Sequence, residues 1–222
     1  MEILVLIALA ILPPLGIAYY VYHKDIHEKE PISLVVKSFA FGAFSVVPVL
    51  LVSEMWSVNL IGNIFIYAMV GVALIEEGFK LLFLKKFIFP NPEFNEPFDG
   101  IVYAVMVSLG FATVENIFYV FGCYDDGITV GIMRMFTAIP LHAACGVVMG
   151  YFVGLAKFKH DGKRNILLLK GLICAVIIHG LYDYFIFQGH LFILSLVTLF
   201  IAIKYSKKAI KMHQDISPFK KD

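Results

Sequence analysis

The chain has 222 residues, 60% of them apolar, with a mean hydropathy of +0.84 and a formal net charge of +1 from 18 basic and 17 acidic side chains. A soluble domain of this length would show shorter apolar runs with amphipathic period. The basic residues are spread between the apolar runs, so no patch for nucleic acid is formed and no nucleic-acid partner is expected.

Apolar runs of bilayer length fall at roughly 3–22, 32–54, 62–84, 99–121, 130–156, 166–187 and 190–205, at about 20 residues per crossing. They predict an all-α polytopic membrane bundle of about seven transmembrane helices. The membrane unit covers residues 1–205 as one domain, and residues 206–222 form a basic tail. The last run is short and joined to the sixth by the tight turn Gln188-Gly189-His190, so six crossings with a re-entrant piece are the alternative. The first run opens Met1-Glu2 with no basic stretch, and no small-x-small site follows it, which reads as a retained anchor. Cys123, Cys145 and Cys174 have no paired spacing, and no disulfide framework is expected.

Lys and Arg placement predicts the orientation. The loops at 23–31, 85–98 and 157–165 and the C-terminal tail carry Lys24, Lys29, Lys85, Lys86, Lys157, Lys159, Lys163, Arg164 and a series from Lys204 to Lys221. The alternate loops carry none, and 122–129 is acidic through Asp125 and Asp126. The positive-inside rule then places the C-terminus in the cytoplasm and the N-terminus outside, with Arg134 as the outlier.

Ionisable residues recur inside the runs. The third holds Glu76, Glu77 and Lys80. Glu76 and Lys80 are one turn apart and share a helix face, while Glu77 points about 100° away. This predicts that one carboxylate faces a cavity and the other is held. The fourth run holds Phe111, Glu115 and Asn116, the fifth His142 shortly after Pro140, and the sixth His179 and Asp183 at i and i+4. A single acid at the centre of a membrane helix costs roughly 3 kcal/mol even on insertion scales, so these groups mark an acid/base site. The depths become compatible if the third helix continues through Phe87 to Phe89 with Lys85 and Lys86 snorkelling.

Several chemistries lack their residues. No serine or cysteine sits in a nucleophile context, the zinc-protease helix H-E-x-x-H is absent, and Asp183 is the one aspartate well inside a run. Carboxylate plus imidazole remains. A buried Glu can take a proton from water while an imidazole held by a carboxylate donates to the developing oxyanion. A proton- or cation-coupled transporter uses the same residue types, and an inactive binding or sensing protein retains them, so three classes stay open.

The ordered set E-E-x-x-K (Glu76, Glu77, Lys80), F-x-x-x-E (Phe111, Glu115) and H-x-x-x-D (His179, Asp183) on successive membrane helices resembles the PrsW family of bacterial intramembrane proteases. The segments Y-H-K-D-I-H-E-K-E-P after the first run and F-D-G-I-V-Y-A in the fourth are similar to that family too. The wider superfamily of CAAX prenyl proteases has related motifs. The resemblance implies an intramembrane endopeptidase of the bacterial inner membrane that cuts a single-span membrane protein, such as an anti-sigma factor, near the outer face. It implies Glu76 as the general base, tuned by Glu77 and Lys80, with His179 and Asp183 at the oxyanion and Glu115 helping to hold the water. Phe111, Asn116 and His142 support them. No cofactor is expected in that reading; the alternative is Zn²⁺ on Glu76, Glu115, His142 and His179.

Overall fold

The computed structural model describes residues 2–55, 62–122 and 126–220, so Cys123, Asp125 and Lys221 lie outside the described residues. Among these residues every regular element is a helix. Helix α1 is Glu2–Lys24 and α2 is Ile32–Ser53. Helix α3 is continuous from Ile64–Ile66 through a π-helical segment, Tyr67–Ala73, an α-helical segment, Leu74–Phe83, and a second π-helical segment, Leu84–Ile88. Helix α4 is Pro97–Gly122, α5 Gly127–Phe136, α6 Ala138–Lys157, α7 Asp161–Phe187 and α8 Phe192–Asp215.

The boundaries follow local chemistry. Pro31, with φ −58° and ψ 124°, holds an extended step into α2, and Pro97 opens α4, where its missing N–H is no loss. The fifth apolar run, expected as one helix, is two. It breaks at Thr137, with φ −122° and ψ −77°, because Pro140 cannot donate to Phe136 and is tolerated only in the first turn of a new helix. The third helix does extend to Ile88, past Lys85 and Lys86. Among the described residues, five stretches are long and apolar enough to cross a bilayer: α1, α2, α4, α5 with α6, and α7. The apolar part of α8 ends at Ile203; Lys204, Lys207, Lys208 and Lys211 follow, and the helix runs on to Asp215 through the segment expected as a separate tail.

Helix α4 is the central strut, buried all round from Phe98 to Thr113. It has no polar face to present to solvent, as expected of a helix enclosed by others. Small residues let its neighbours approach to backbone contact. On α6, Gly146, Gly150 and Gly154 recur every fourth residue against Gly100, Ala104 and Ser108 of α4, and a methyl at Gly154 would overlap the Pro97 carbonyl. On the other side, Gly110 of α4 and Gly42 of α2 meet the carbonyls of Phe39 and Val107. Such small-residue seams are how membrane helices gain packing when burial from water drives nothing. The outer helices expose large apolar side chains, Leu4, Leu12, Leu51, Ile193 and Phe200 among them, as a bilayer-facing surface requires.

The basic segments gather at one end. Gln214 Nε2 donates to the Lys24 carbonyl at 2.5 Å, and Lys157 Nζ donates to the carbonyls of Phe89 and Asn91 at 2.5 and 3.0 Å.

Candidate active site

Five helices send polar side chains to one buried cluster: Glu76, Glu77 and Lys80 from α3, Glu115 and Asn116 from α4, Arg134 from α5, His142 from α6, and His179 and Asp183 from α7. Local structure explains the convergence. A π-helical segment ends just before Glu76, and π turns re-aim the side chains that follow them. Gly180 lies against that segment so closely that a methyl there would overlap Met69 Sδ, which brings the adjacent His179 onto α3. Ser108 Oγ donates to the His142 carbonyl at 2.7 Å and ties α6 to α4 at the same level.

The two glutamates of α3 differ. Lys80 Nζ lies 2.7 Å from Glu77 Oε1 and 3.5 Å from Glu76 Oε2, so the closer pair is i, i+3 rather than the i, i+4 pair expected from face-sharing. His179 Nδ1 adds a second hydrogen bond to Glu77 Oε1 at 2.9 Å. Glu77 is the held carboxylate. Glu76 Oε2 is buried with no hydrogen-bond partner, 3.8 Å from His179 Nε2, and Asp183 Oδ2 approaches the same nitrogen at 3.3 Å. The group that orients His179 through Nδ1 is therefore Glu77, while Asp183 shares the opposite side of the ring with Glu76.

His142 is clamped as well. Lys80 Nζ sits 3.1 Å from Nδ1, and Glu115 Oε2 sits 2.9 Å from Nε2. An ammonium only donates, so Nδ1 accepts and the proton rests on Nε2, facing the carboxylate. Glu115 Oε2 also takes Arg134 Nη2 at 2.6 Å, and Arg134 Nε donates to Asn116 Oδ1 at 2.7 Å. The guanidinium stacks on Tyr119, 4.0 Å from the ring centroid. Asn116 turns its amide N–H to the carbonyls of Leu9 and Ala10. The Phe111 ring lies 4.2 Å from Lys80 Nζ.

Arg134 is the member that sequence reading left out. Its signal was its conflict with the positive-inside pattern: a cation at the wrong end of a span has a partner inside. With it, Glu76, Glu77, Glu115 and Asp183 face two fixed cations, Lys80 and Arg134, and two imidazoles. Four carboxylates against two permanent cations leave the histidines, a proton or a bound metal to balance the rest.

Donor atoms of Glu76, His142 and His179 all lie within 4.8 Å of one another. Two imidazoles and one carboxylate form a catalytic zinc donor set. Each histidine also has its other nitrogen against a carboxylate, Glu77 for His179 and Glu115 for His142, as metal-bound histidines do. The unpartnered Glu76 Oε2 and the Lys80 ammonium resting on His142 Nδ1 show that this pocket accommodates a cation. Glu115, expected as a fourth ligand, lies outside the group because its Oε2 is engaged by Arg134 and His142.

Comparison with known proteins adds the chemistry's context. The family described as "PrsW family intramembrane metalloprotease" matches residues 30–205. Protease PrsW of Shouchella clausii is 36% identical over 205 residues, 90% of this chain and 91% of that protein. Protease PrsW of Bacillus subtilis is 34% identical over 180 residues, 81% of each. Protease PrsW of Clostridioides difficile is 30% identical over 222 residues, 97% of this chain and 93% of that protein. No solved structure matches.

Proposed function

The chain belongs to the PrsW family of intramembrane proteases, and from that premise we propose that it is an endopeptidase that cuts a single-span membrane protein with water activated at Glu76. The observation that carries this reading is the buried, unpartnered Oε2 of Glu76 facing His179 Nε2. Glu76 takes the proton of the attacking water as the C–O bond forms and returns it to the departing amine as the C–N bond breaks. His179, donating Nδ1–H to Glu77 and protonated on both ring nitrogens, presents Nε2–H to the oxyanion, and Asp183 fixes that edge of the ring. Lys80 holds Glu77 in its charged form close to His179. Glu115, Arg134 and Asn116 lock the His142 ring in place. An anti-sigma factor is the substrate type we assign, cut near the outer face of the bacterial inner membrane with the C-terminus of the protease in the cytoplasm.

A second reading rests on the close approach of Glu76, His142 and His179. Those three residues would hold Zn²⁺, and His142 would have to release Lys80 from Nδ1 to do so. The metal, when bound, polarises the scissile carbonyl and acidifies water.

The test is cleavage of a tagged single-span substrate in proteoliposomes by wild type and Glu76→Gln, with and without 1,10-phenanthroline, which removes zinc and leaves Mg²⁺ and Ca²⁺. A product from wild type, missing from the variant and indifferent to the chelator, supports glutamate-activated water. Loss with the chelator, with zinc found in the purified protein, supports the metal. No product from wild type with any single-span substrate overturns the endopeptidase reading and leaves the transporter and binding classes.

A further inference from the structure

His179 and Asp183 leave one face of α7, and the opposite face of that helix borders an open groove. The groove runs between α7 and α8 over α6, with a cavity volume of about 580 Å³. Helix α8 presents Thr198, Ile201, Tyr205, Lys208 and Met212 to it, positions three or four apart and so on one face. Ile177 of α7 and Phe152 of α6 line the other walls. Ile177, Ile201 and Tyr205 are 44, 47 and 60% exposed, so the groove opens sideways, toward the bilayer.

Its polar groups gather at one end. Higher up, the Thr198 hydroxyl is already engaged by the Leu194 carbonyl at 2.9 Å. Lys208 is the one charged residue among the lining residues, and α8 carries no acid from Phe192 to Gln214. Lys204, Lys208 and Lys211 stand at i, i+4 and i+7 along an exposed edge of that helix. An ammonium beside an apolar trough reaches for the level of the headgroups, and Tyr205 brings a hydroxyl to the same end. Shape and charge select the occupant. Thr198 to Met212 covers about 21 Å of helix axis, and a second helix, some 10 Å across, would need roughly three times the volume over that length. A hydrocarbon chain is a single file of methylenes and needs less. The cytoplasmic flank of a single-span protein is commonly basic and would meet these lysines with like charge, whereas an anionic phospholipid brings the opposite one.

We propose that this groove binds one anionic phospholipid from the leaflet at the basic end of the bundle. An acyl chain lies along α7 and α8, Lys208 takes the phosphate with the Tyr205 hydroxyl donating to it, and Lys204 and Lys211 add positive charge around it. Basic pockets between membrane helices hold anionic headgroups in this way. The chain fills the space behind Ile177, two residues from His179, and so braces the helix that carries His179 and Asp183. The assignment is independent of the chemistry performed at Glu76.

The test uses the full chain in nanodiscs of phosphatidylcholine, with and without phosphatidylglycerol of matched acyl chains, released into mild detergent and weighed by native mass spectrometry, with thermal melts alongside. Wild type is expected to carry one phosphatidylglycerol in preference to phosphatidylcholine and to melt several degrees higher when it is present. Lys208→Gln is expected to lower that preference about fivefold, the contribution of one lysine at a membrane surface. Ile201→Trp, whose indole fills the groove from its exposed side, is expected to abolish retention of either lipid with the melt in phosphatidylcholine unchanged. Lys163→Gln removes an exposed lysine that does not line the groove and is expected to change nothing. Equal retention of the two lipids by wild type, no retained lipid, or the same loss from Lys163→Gln as from Lys208→Gln overturns the proposal. So does a second copy of the chain, or an added tagged single-span helix, bound in place of the lipid. Should Ile201→Trp fail to fold, the comparison of Lys208→Gln with Lys163→Gln decides.

Discussion

The molecule holds two buried collections of acids, and they are neutralised in opposite ways. In the intramembrane cluster each glutamate but one closes hydrogen bonds to basic partners: Lys80 of its own helix and His179 of α7 for Glu77, Arg134 and His142 for Glu115. In the cluster at the loop end, where Asp25, Glu30, Glu96 and Asp99 are buried, the side-chain cations Lys29 and Lys157 are spent on backbone carbonyls and most carboxylate oxygens have no basic partner. Removing a member should therefore harm the first and relieve the second. Glu76, whose Oε2 has cations within 4 Å but closes no hydrogen bond, marks where something from outside is to be engaged.

The comparison can be broken most directly at Glu76. Glu76→Gln is expected to lower turnover roughly 10³-fold, as loss of a general base does, with the melting temperature unchanged; equal turnover would remove Glu76 from the chemistry. Next comes Arg134→Met, which strips Glu115 of its guanidinium and is expected to cost about 3 kcal/mol of stability, as breaking a buried pair does. Adding Glu115→Gln to Arg134→Met should recover part of that loss in a denaturant series, and no recovery would deny the pairing.

The loop-end cluster should respond to pH with the reverse sign of a salt-bridged acid. Asp25 titrates at about 6 in the folded chain against its ordinary 3.8, so between those values the folded state holds a proton that the unfolded state has lost. The protein should lose stability as pH rises through that window and continue to lose it above, toward the raised value of Glu30. A stability that climbs with pH would contradict it. The smallest effect expected is that of Asp25→Asn at pH 8, neutral to about 1 kcal/mol stabilising, read from thermal melts.

Much of this was legible from residue order alone. Length and apolarity place five of the seven runs to within a few residues, because a bilayer sets one length scale for every helix; the fifth run is two helices and the last continues to Asp215. The polar residues at Glu76, Glu115, His142, His179 and Asp183 announce a common site because isolated charges in lipid have no other refuge. The pairing inside the site was not legible. Whether Lys80 takes Glu76 or Glu77 depends on the π-helical segment at Tyr67–Ala73 and on His179 arriving from α7, neither of which leaves a period in the sequence. Arg134 meets Glu115 through the turn at Thr137, whose effect on direction needs coordinates. The spacing of Gly146, Gly150 and Gly154 does carry a local signal, although its partner on α4 is fixed only by packing.

The glycine seams also decide how the bundle can yield. Where α4 touches α2 and α6 through Gly110, Gly42, Gly150 and Gly154, main chain meets main chain, and separation would strip whole rows of contact at once. Between α2 and α3 the closure is made by side chains, Val46 and Val49 against Ile75 and Phe79, over Phe111. Side-chain contacts of that kind can part by rotamer changes, like a zip whose teeth swivel, whereas the backbone seams cannot.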